Sequence, residues 1–252
     1  STYELAEGLH RRASFSVHEA LCVLLVWSGY YAGALIGQSL RFPDSHLSLI
    51  WPPTAILLAA LLLAPPRRWW IFLVAVSPVH AFVQFQDAVP ALGILSQLLG
   101  NFGQALVAAT TVRYFAKGEI RLDSFRGVII FTLCAVILAP FAVSAVAAYL
   151  YVLSGWEQDY WYVWRARVLS NALSTLTIIP PILMVFGVRK PKTPSRSHWR
   201  LMEFALLTAG LVVAAYYGFG EEAGVATLLC APLPFLLWAA VRFDIGMLSV
   251  AL

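Results

Sequence analysis

Charged residues are scarce in this chain. Only 12% of its 252 residues are Asp, Glu, Lys or Arg, whereas 60% are hydrophobic and the mean hydropathy is +0.77. Soluble domains carry about 25% charged and about 45–50% apolar residues. A soluble domain of this size could not bury so much apolar surface in one core. The composition therefore excludes that class and predicts that lipid is the solvent for most of the chain.

Cysteine pairs and metal-binding motifs are also lacking. Cys22, Cys134 and Cys230 stand alone inside hydrophobic runs, and neither a CxxC nor a Cys/His spacing occurs. Because a metal site or a disulfide framework needs such spacings, we expect no metal and no cofactor. A nucleotide-binding loop, an HExxH motif and a Ser/His/Asp arrangement on one membrane face are missing too. The chain therefore carries no catalytic residues that its sequence reveals.

Long hydrophobic runs make up most of the chain. A membrane-spanning helix needs about 20 apolar residues, and on that criterion we predict an all-α bundle of about eight transmembrane helices. The loops between them are short, so neighbouring helices should pack antiparallel. The predicted spans are residues 17–38, 48–64, 69–86, 91–112, 127–152, 163–186, 201–218 and 225–241.

Basic residues indicate how the bundle lies in the membrane. With a cytoplasmic N-terminus, eight alternating spans leave 14 of the 17 Lys and Arg residues on the inner side, and only Arg41, Arg165 and Arg167 on the outer side. Such asymmetry is typical of cytoplasmic loops. Residues 1–16 should then form a cytoplasmic segment, not a cleaved signal, since no cleavage site and no soluble domain follow the first run. Membrane topology alone explains the net charge of +4, so we expect a lipid bilayer and no nucleic acid as partner.

Trp51-Pro52-Pro53-Thr54 opens the second predicted span at its outer end. Proline suits the first turn of a helix, where its missing N–H would have no partner anyway. Trp51 is either an aromatic anchor at the membrane interface or part of a binding site.

Polar residues share one face of the fourth predicted span. Gln97, Asn101 and Gln104 are spaced at i, i+4 and i+7, which places them together on a helix. They form interhelical hydrogen bonds or line a polar cavity, and both interpretations stay open. His80 in the third span lacks a second histidine at i+3 or i+4, which favours hydrogen-bonded helix packing over metal binding.

The richest cluster descends from the outer loop into the sixth span. Tyr160-Trp161-Tyr162 and Trp164 precede Arg165 and Arg167, and Arg167, Asn171 and Ser174 again share a face at i, i+4 and i+7. A charge inside a span costs about 2.5–3.5 kcal/mol on insertion scales, so a functional role or an acidic partner is expected. The arginines either pair with outer carboxylates and hold the bundle, or face a pocket and bind an anion. Further along this span, Pro180 and Pro181 should kink it.

These observations give a set of candidate functional residues. We predict Pro52, Pro53, Pro180 and Pro181 as structural or signalling positions. The candidate ligand-binding residues are Trp51, Asn101, Gln104, Trp161, Trp164, Arg165, Arg167 and Asn171.

Four motifs in a fixed order carry a resemblance to a known family. They are Leu49-Ile-Trp51-Pro52-Pro53-Thr54 with Arg67-Arg68-Trp69-Trp70, Gly100-Asn101, Trp164-Arg165-Ala-Arg167-Val-Leu-Ser170-Asn171, and Pro234-Phe-Leu-Leu-Trp238 with Arg242-Phe243. From about residue 18 to its end, the chain resembles MASE1, a membrane-associated sensor domain of bacteria. Ala55 and Ser170-Asn171 stand where that family often has Gly and Gly-Asp, and the second change removes a carboxylate close to Arg167.

The resemblance implies a multi-pass sensory input domain over residues 17–252, in the bacterial inner membrane. It also implies that the chain continues beyond residue 252 into a cytoplasmic output domain. That output would be a histidine kinase, or less commonly a diguanylate cyclase, and the full-length protein would be a homodimer. The signal would be a small anionic or aromatic ligand, or a partner membrane protein, bound between helices.

Two other classes remain as alternatives. A small-molecule transporter is one, although we detect no internal repeat, and carboxylates are nearly absent from the helix centres, which argues against ion-driven transport. A scaffold subunit of a larger membrane complex, with no ligand at all, is the other.

Overall fold

A computed structural model describes residues 17–41, 45–117, 122 and 124–186 of the chain. Within these residues the secondary structure is helical, apart from an isolated antiparallel bridge between Arg41 and Ser48. A short 3₁₀ turn, Pro66–Arg68, joins the second and third helices. The six helices are α1 (Val17–Ser39), α2 (Pro52–Leu63), α3 (Trp69–Gln86), α4 (Ala91–Ala116), α5 (Phe125–Leu153) and α6 (Tyr160–Phe186).

Five of these helices are long and apolar enough to cross a membrane, namely all except α2. They match the first, third, fourth, fifth and sixth predicted spans to within a few residues at each end. The bundle class is therefore confirmed for this part of the chain. The predicted spans 201–218 and 225–241, like the predicted cytoplasmic segment 1–16, lie outside the described residues.

Helix α2 differs from its prediction. It has 12 residues, about 18 Å at 1.5 Å per residue, whereas the hydrocarbon core of a bilayer is about 30 Å thick. Ten of its 12 residues are buried, and it packs against α1, α4 and α6. The sequence run 48–64 looked long enough to span because residues 48–51 are also mostly apolar, but these residues form the extended approach to the helix. Protein, and not lipid, surrounds α2.

At the N-terminal end of α2, residues either lack a backbone N–H or have that N–H hydrogen-bonded. Pro52 and Pro53 occupy the first turn and remove two of the four N–H groups that have no partner within a helix. The N–H of Trp51 donates to the Ser174 hydroxyl at 2.7 Å. This end of α2 is therefore joined directly to α6.

The opposite end of α2 is capped by side chains from two other helices. Nη2 of Arg113, on α4, donates to the carbonyl oxygens of Leu62 at 2.8 Å and Ala64 at 2.7 Å. The indole N–H of Trp69 donates to Leu61 O at 2.8 Å, and the Arg113 guanidinium lies 5.7 Å from the Trp69 ring centre. A cation at a helix C-terminus also opposes the negative end of the helix dipole.

Small residues on α1 let it approach α2 closely. A Cβ atom at Gly33 would lie 3.0 Å from the Cβ of Pro52, and one at Gly37 would lie 2.6 Å from the Trp51 ring. Close packing of this kind is the usual role of glycine between membrane helices. The outward faces of the helices, in contrast, are apolar and exposed, as at Leu24, Phe85 and Leu99.

Helix α5 contains a π-helical segment over Thr132–Leu138. Pro140 follows it and cannot donate to the carbonyl of Val136, and its ring would crowd that carbonyl in a regular α-helix. The wider π turn accommodates the proline without ending the helix. In α6, Pro180 and Pro181 likewise lie inside a continuous helix, and the kink predicted there stays a prediction.

Ion pairs show which helix ends lie together. Arg68 pairs with Glu19, and both lie at the same end of the bundle as Arg113. Arg41 pairs with Asp87 at the other end. Successive helices therefore begin at alternate ends of the bundle, as the predicted topology requires. Which end faces the cytoplasm stays a prediction.

Replacing Arg113 by Met should destabilise the bundle, because the carbonyl oxygens of Leu62 and Ala64 at the end of α2 lose the donor that Arg113 supplies. We expect the free energy of unfolding in detergent to fall by about 1–3 kcal/mol. Arg126→Met is the control, since Arg126 is exposed at the same end of the bundle and should change stability by less than about 0.5 kcal/mol. Equal stability of the two variants would show that the cap contributes nothing.

Candidate functional site

A small polar cavity opens at the end of the bundle that holds the Arg41–Asp87 pair, between α1, α3, α6 and the segment that leads into α2. Its volume is about 40 Å³, enough for a few water molecules or a small polar group. Polar side chains dominate its wall. They include Arg41, Ser48, Gln84, Asp87, Gln97, Arg167, Ser170 and Asn171, together with the aromatic rings of Trp51, Tyr151 and Trp156.

Arg167 is the central charge of this cavity. It lies near the N-terminal end of α6, and only 7% of its surface is exposed. Its Nη1 donates to the Tyr151 hydroxyl at 2.8 Å, and its guanidinium carbon lies 5.0 Å from the Tyr151 ring centre. Its Nε and Nη2 are buried without a hydrogen-bond partner among the described residues. The sequence-derived alternative of an acidic partner for Arg167 therefore finds no support within the described part of the chain.

Gly100 on α4 makes room for this guanidinium. A Cβ atom there would lie 2.8 Å from Nη2 of Arg167 and 3.2 Å from the Cβ of Ala147 on α5. Three helices therefore meet at Arg167, and a methyl group on α4 would displace its side chain.

The face of α6 below Arg167 is buried, as the i, i+4, i+7 spacing predicts. Asn171 donates from Nδ2 to the Arg167 carbonyl at 2.9 Å, and Ser174 donates to the Ser170 carbonyl at 2.7 Å while accepting from Trp51 N–H. Oδ1 of Asn171 has no partner within the described residues.

Arg41, the other arginine in the cavity wall, is already paired. Both of its terminal nitrogens donate to the Asp87 carboxylate, and Gln38 donates to the same carboxylate at 3.1 Å. Its positive charge is therefore balanced within the wall, whereas the charge of Arg167 is not.

Two loops meet at the mouth of the cavity. The ring of His46 stacks on Trp156 with 4.0 Å between ring centres. The Glu157 carboxylate accepts from the backbone N–H of His46 at 3.1 Å and from the Ser45 hydroxyl at 3.3 Å. The loop after α1 is thereby tied to the loop before α6.

A second polar network lies deeper in the bundle. Thr54 on α2 donates to Asn101 Oδ1 at 3.1 Å, and Asn101 Nδ2 donates to the Tyr30 hydroxyl at 3.1 Å. Because Tyr30 accepts this bond, its own proton is available for His80 Nδ1, 3.2 Å away. The network joins α1, α2, α3 and α4, and it gives His80 the packing role that the sequence favours.

The candidate residues divide into three groups. Trp51, Arg167 and Asn171 line the cavity. Asn101 and Gln104 are buried on the face of α4 that carries Gln97, which is itself a cavity residue.

Trp161, Trp164 and Arg165 form the third group, which lies on the outer surface of α6. Trp161 is 62% exposed, and Arg165 donates to the Trp161 carbonyl of its own helix at 3.1 Å. The Trp164 indole donates to the Phe141 carbonyl on α5 at 3.2 Å. The structure does not bring these three side chains into the cavity wall. Two residues further along α6, Arg167 points the other way because a helix turns about 200° in two residues.

Sequence reasoning missed several residues that the structure places in the site. Tyr151, Gln84 and the Arg41–Asp87 pair line the cavity, and Tyr30 carries the deeper network. A polar residue within an apolar run was the only available signal for Gln84. Tyr151 and Tyr30 gave none, because tyrosine is common near membrane interfaces.

A bundle of membrane-length helices with a buried cluster of polar side chains defines an integral membrane protein. The family model of MASE1 matches residues 21–252, nearly the whole chain, and the chain therefore belongs to the MASE1 family. MASE1 is a membrane-associated sensory domain of signalling proteins. No curated protein and no solved structure matches the chain.

Replacing Tyr30 by Phe should break the deeper network, because Asn101 and His80 would each lose a partner inside the bundle. We expect the free energy of unfolding to fall by about 1–3 kcal/mol. Tyr31→Phe is the matched control, since Tyr31 is only partly buried beside Trp27 and its hydroxyl makes no hydrogen bond in the described structure. Thermal unfolding of both variants in detergent checks this, and a Tyr31→Phe loss as large as that of Tyr30→Phe would contradict it.

Gly100→Ala should also destabilise the protein, since the new methyl group would collide with Arg167. The loss should be about 1–3 kcal/mol, as for other overpacked positions. Gly29→Ala is the control, because its Cβ would meet Ile56 at an ordinary 3.6 Å. That variant should be neutral or more stable, because alanine is the better helix former. Matching unfolding temperatures for the two variants would mean that α4 does not need a glycine beneath Arg167.

Proposed function

We propose that this chain is the sensory input domain of a bacterial inner-membrane signalling protein, and that an anion bound at Arg167 is its signal. The observation that carries this proposal is the buried guanidinium with two donors unused. Leaving such donors unpaired in a low-dielectric interior is costly, and an arginine charge without a counter-ion adds to that cost. An anion in the cavity would supply both the charge and the acceptors.

Burial of the two unused donors supports coupling between binding and movement. Nε and Nη2 are covered by protein in the described packing, with Gly100 and Ala147 beside the guanidinium. An anion reaches them only if Arg167 turns towards the cavity or if α4, α5 and α6 separate slightly. The ligand would then favour a second packing over the first, which is what a sensor requires.

Further polar groups support the existence of a second packing. Gln104 on α4, Ser144 on α5 and Asn171 on α6 each lie about one turn deeper than the contact between Gly100, Ala147 and Arg167. All three have buried polar atoms without partners among the described residues. A small shift of these helices past one another would allow such groups to pair, so the two packings would be close in free energy.

Helix α6 is the element best suited to carry the movement. It bears Arg167 near its outer end, continues through Pro180 and Pro181 to Phe186, and is joined to α2 through Ser174. We propose that the movement reaches a cytoplasmic output domain, a histidine kinase or less commonly a diguanylate cyclase, and that the full-length protein is a homodimer. The family membership supports the sensory role, and the choice of output rests on the resemblance alone.

Arg167→Gln should abolish the response of the full-length protein to its signal, because Gln lacks the charge that draws the anion into the cavity. The measurement is output activity in cells grown in media that differ in their small anions. The wild type should vary between media, and the variant should give one constant output.

Arg165→Gln is the matched control for that experiment. Arg165 lies two residues away, is exposed and bonds only to its own helix in the described structure, so its variant should respond like the wild type. If Arg167→Gln is folded, as its unfolding temperature reports, and still responds normally, the anion proposal is wrong.

A further inference from the structure

We infer that the group recognised at Arg167 is a single carboxylate, and not a phosphate or a sulfate. The inference rests on the proposed function, namely that Arg167 binds an anion. It goes further by naming the chemical class, and three features of the cavity carry it.

The first feature is which edge of the guanidinium is unused. Nη1 is engaged by the Tyr151 hydroxyl at 2.8 Å, while Nε and Nη2 have no partner among the described residues. Nε and Nη2 carry parallel N–H groups on one side of the planar guanidinium, and this fork matches the two oxygens of a carboxylate. Tyr151 therefore leaves unpaired the edge that is suited to a planar, two-oxygen acceptor, and this edge becomes accessible in the second packing proposed above.

The second feature is the balance of charge around the cavity. Asp87 neutralises Arg41 through two hydrogen bonds, so the charged residues of the wall carry one net positive charge, that of Arg167. Glu157 lies in the loop above, beside Trp156 and His46 of the cavity wall, and would repel a dianion more than a monoanion. A singly charged carboxylate matches this balance, whereas phosphate and sulfate at neutral pH carry up to two negative charges.

The third feature is size. A volume of about 40 Å³ holds a few water molecules, and the space needed by a carboxylate with a small substituent is similar. A larger molecule would fit only with its carboxylate inside and its remainder towards the stacked rings of His46 and Trp156 at the mouth. A small free carboxylate and the carboxylate of a larger molecule would present the same two oxygens to Arg167.

The test is ligand-induced stabilisation of the full-length protein in lipid nanodiscs at constant ionic strength. A ligand that binds the folded state raises its unfolding temperature with increasing concentration, which yields an affinity. The probes are acetate and benzoate, as a small and a larger carboxylate, inorganic phosphate, sulfate, and ethylammonium as a cation of similar size. The proteins are the wild type, Arg167→Lys, Arg167→Gln and Arg165→Gln.

We expect a carboxylate to bind the wild type and the Arg165→Gln variant with equal affinity, and phosphate and sulfate to bind at least about tenfold more weakly. Acetate binding alone would identify a free small carboxylate, and benzoate binding alone would identify the carboxylate of a larger molecule. Arg167→Lys keeps the charge but loses the fork, so carboxylate affinity should fall by about tenfold or more.

Phosphate or sulfate binding that is as tight as carboxylate binding and is lost in Arg167→Gln would overturn the carboxylate inference but leave the anion sensor intact. If Arg167→Lys binds the carboxylate as tightly as the wild type, the carboxylate is not recognised through the paired Nε and Nη2 donors. That result would overturn the carboxylate inference and leave the anion sensor intact. Carboxylate binding that persists in Arg167→Gln would overturn both, because the site would lie elsewhere. If no anion stabilises the wild type, the carboxylate inference is wrong, and the cellular response of Arg167→Gln decides the proposed function separately.

Discussion

A helix that is too short to cross the membrane must have its ends satisfied by other parts of the protein, and α2 (Pro52–Leu63) imposes this constraint on the whole bundle. At one end, prolines remove two donors and Ser174 accepts a third. At the other end, Arg113 and Trp69 donate to the last carbonyl oxygens. These contacts fix the positions of α3, α4 and α6 relative to α2. The cavity lies where the chain enters this helix, so the position of its wall depends on the same contacts.

Arg167 shows how a polar site is maintained inside such a bundle. Tyr151 holds one of its nitrogens, and Gly100 leaves room for the guanidinium. The pairing of Arg41 with Asp87 keeps the second cation of the wall from competing for an anion. Within the described part of the chain, the result is one uncompensated charge at the meeting point of three helices, where a change in its partners would affect their packing.

Much of this arrangement could be predicted from residue spacing. The i, i+4, i+7 patterns placed Gln97, Asn101 and Gln104 on one face of α4, and the structure buries all three. Helix positions were predictable because each long apolar run must form its own backbone hydrogen bonds in lipid. The partners of the polar residues were not predictable, because Thr54, Tyr30 and the others come from separate helices whose rotation and depth depend on packing.

The sequence by itself determined the class of protein, the five membrane-length helices of the described region, the buried faces of α4 and α6, and the family, since each of these depends on local pattern and composition. Only the tertiary structure decided that α2 is an internal helix, that Arg167 faces the cavity while Arg165 faces outward, and that Asp87 neutralises Arg41. The physical reason is that pairing and burial are relations between helices. A pattern along one helix shows that a polar face needs partners, but only the packed bundle shows which partners it has.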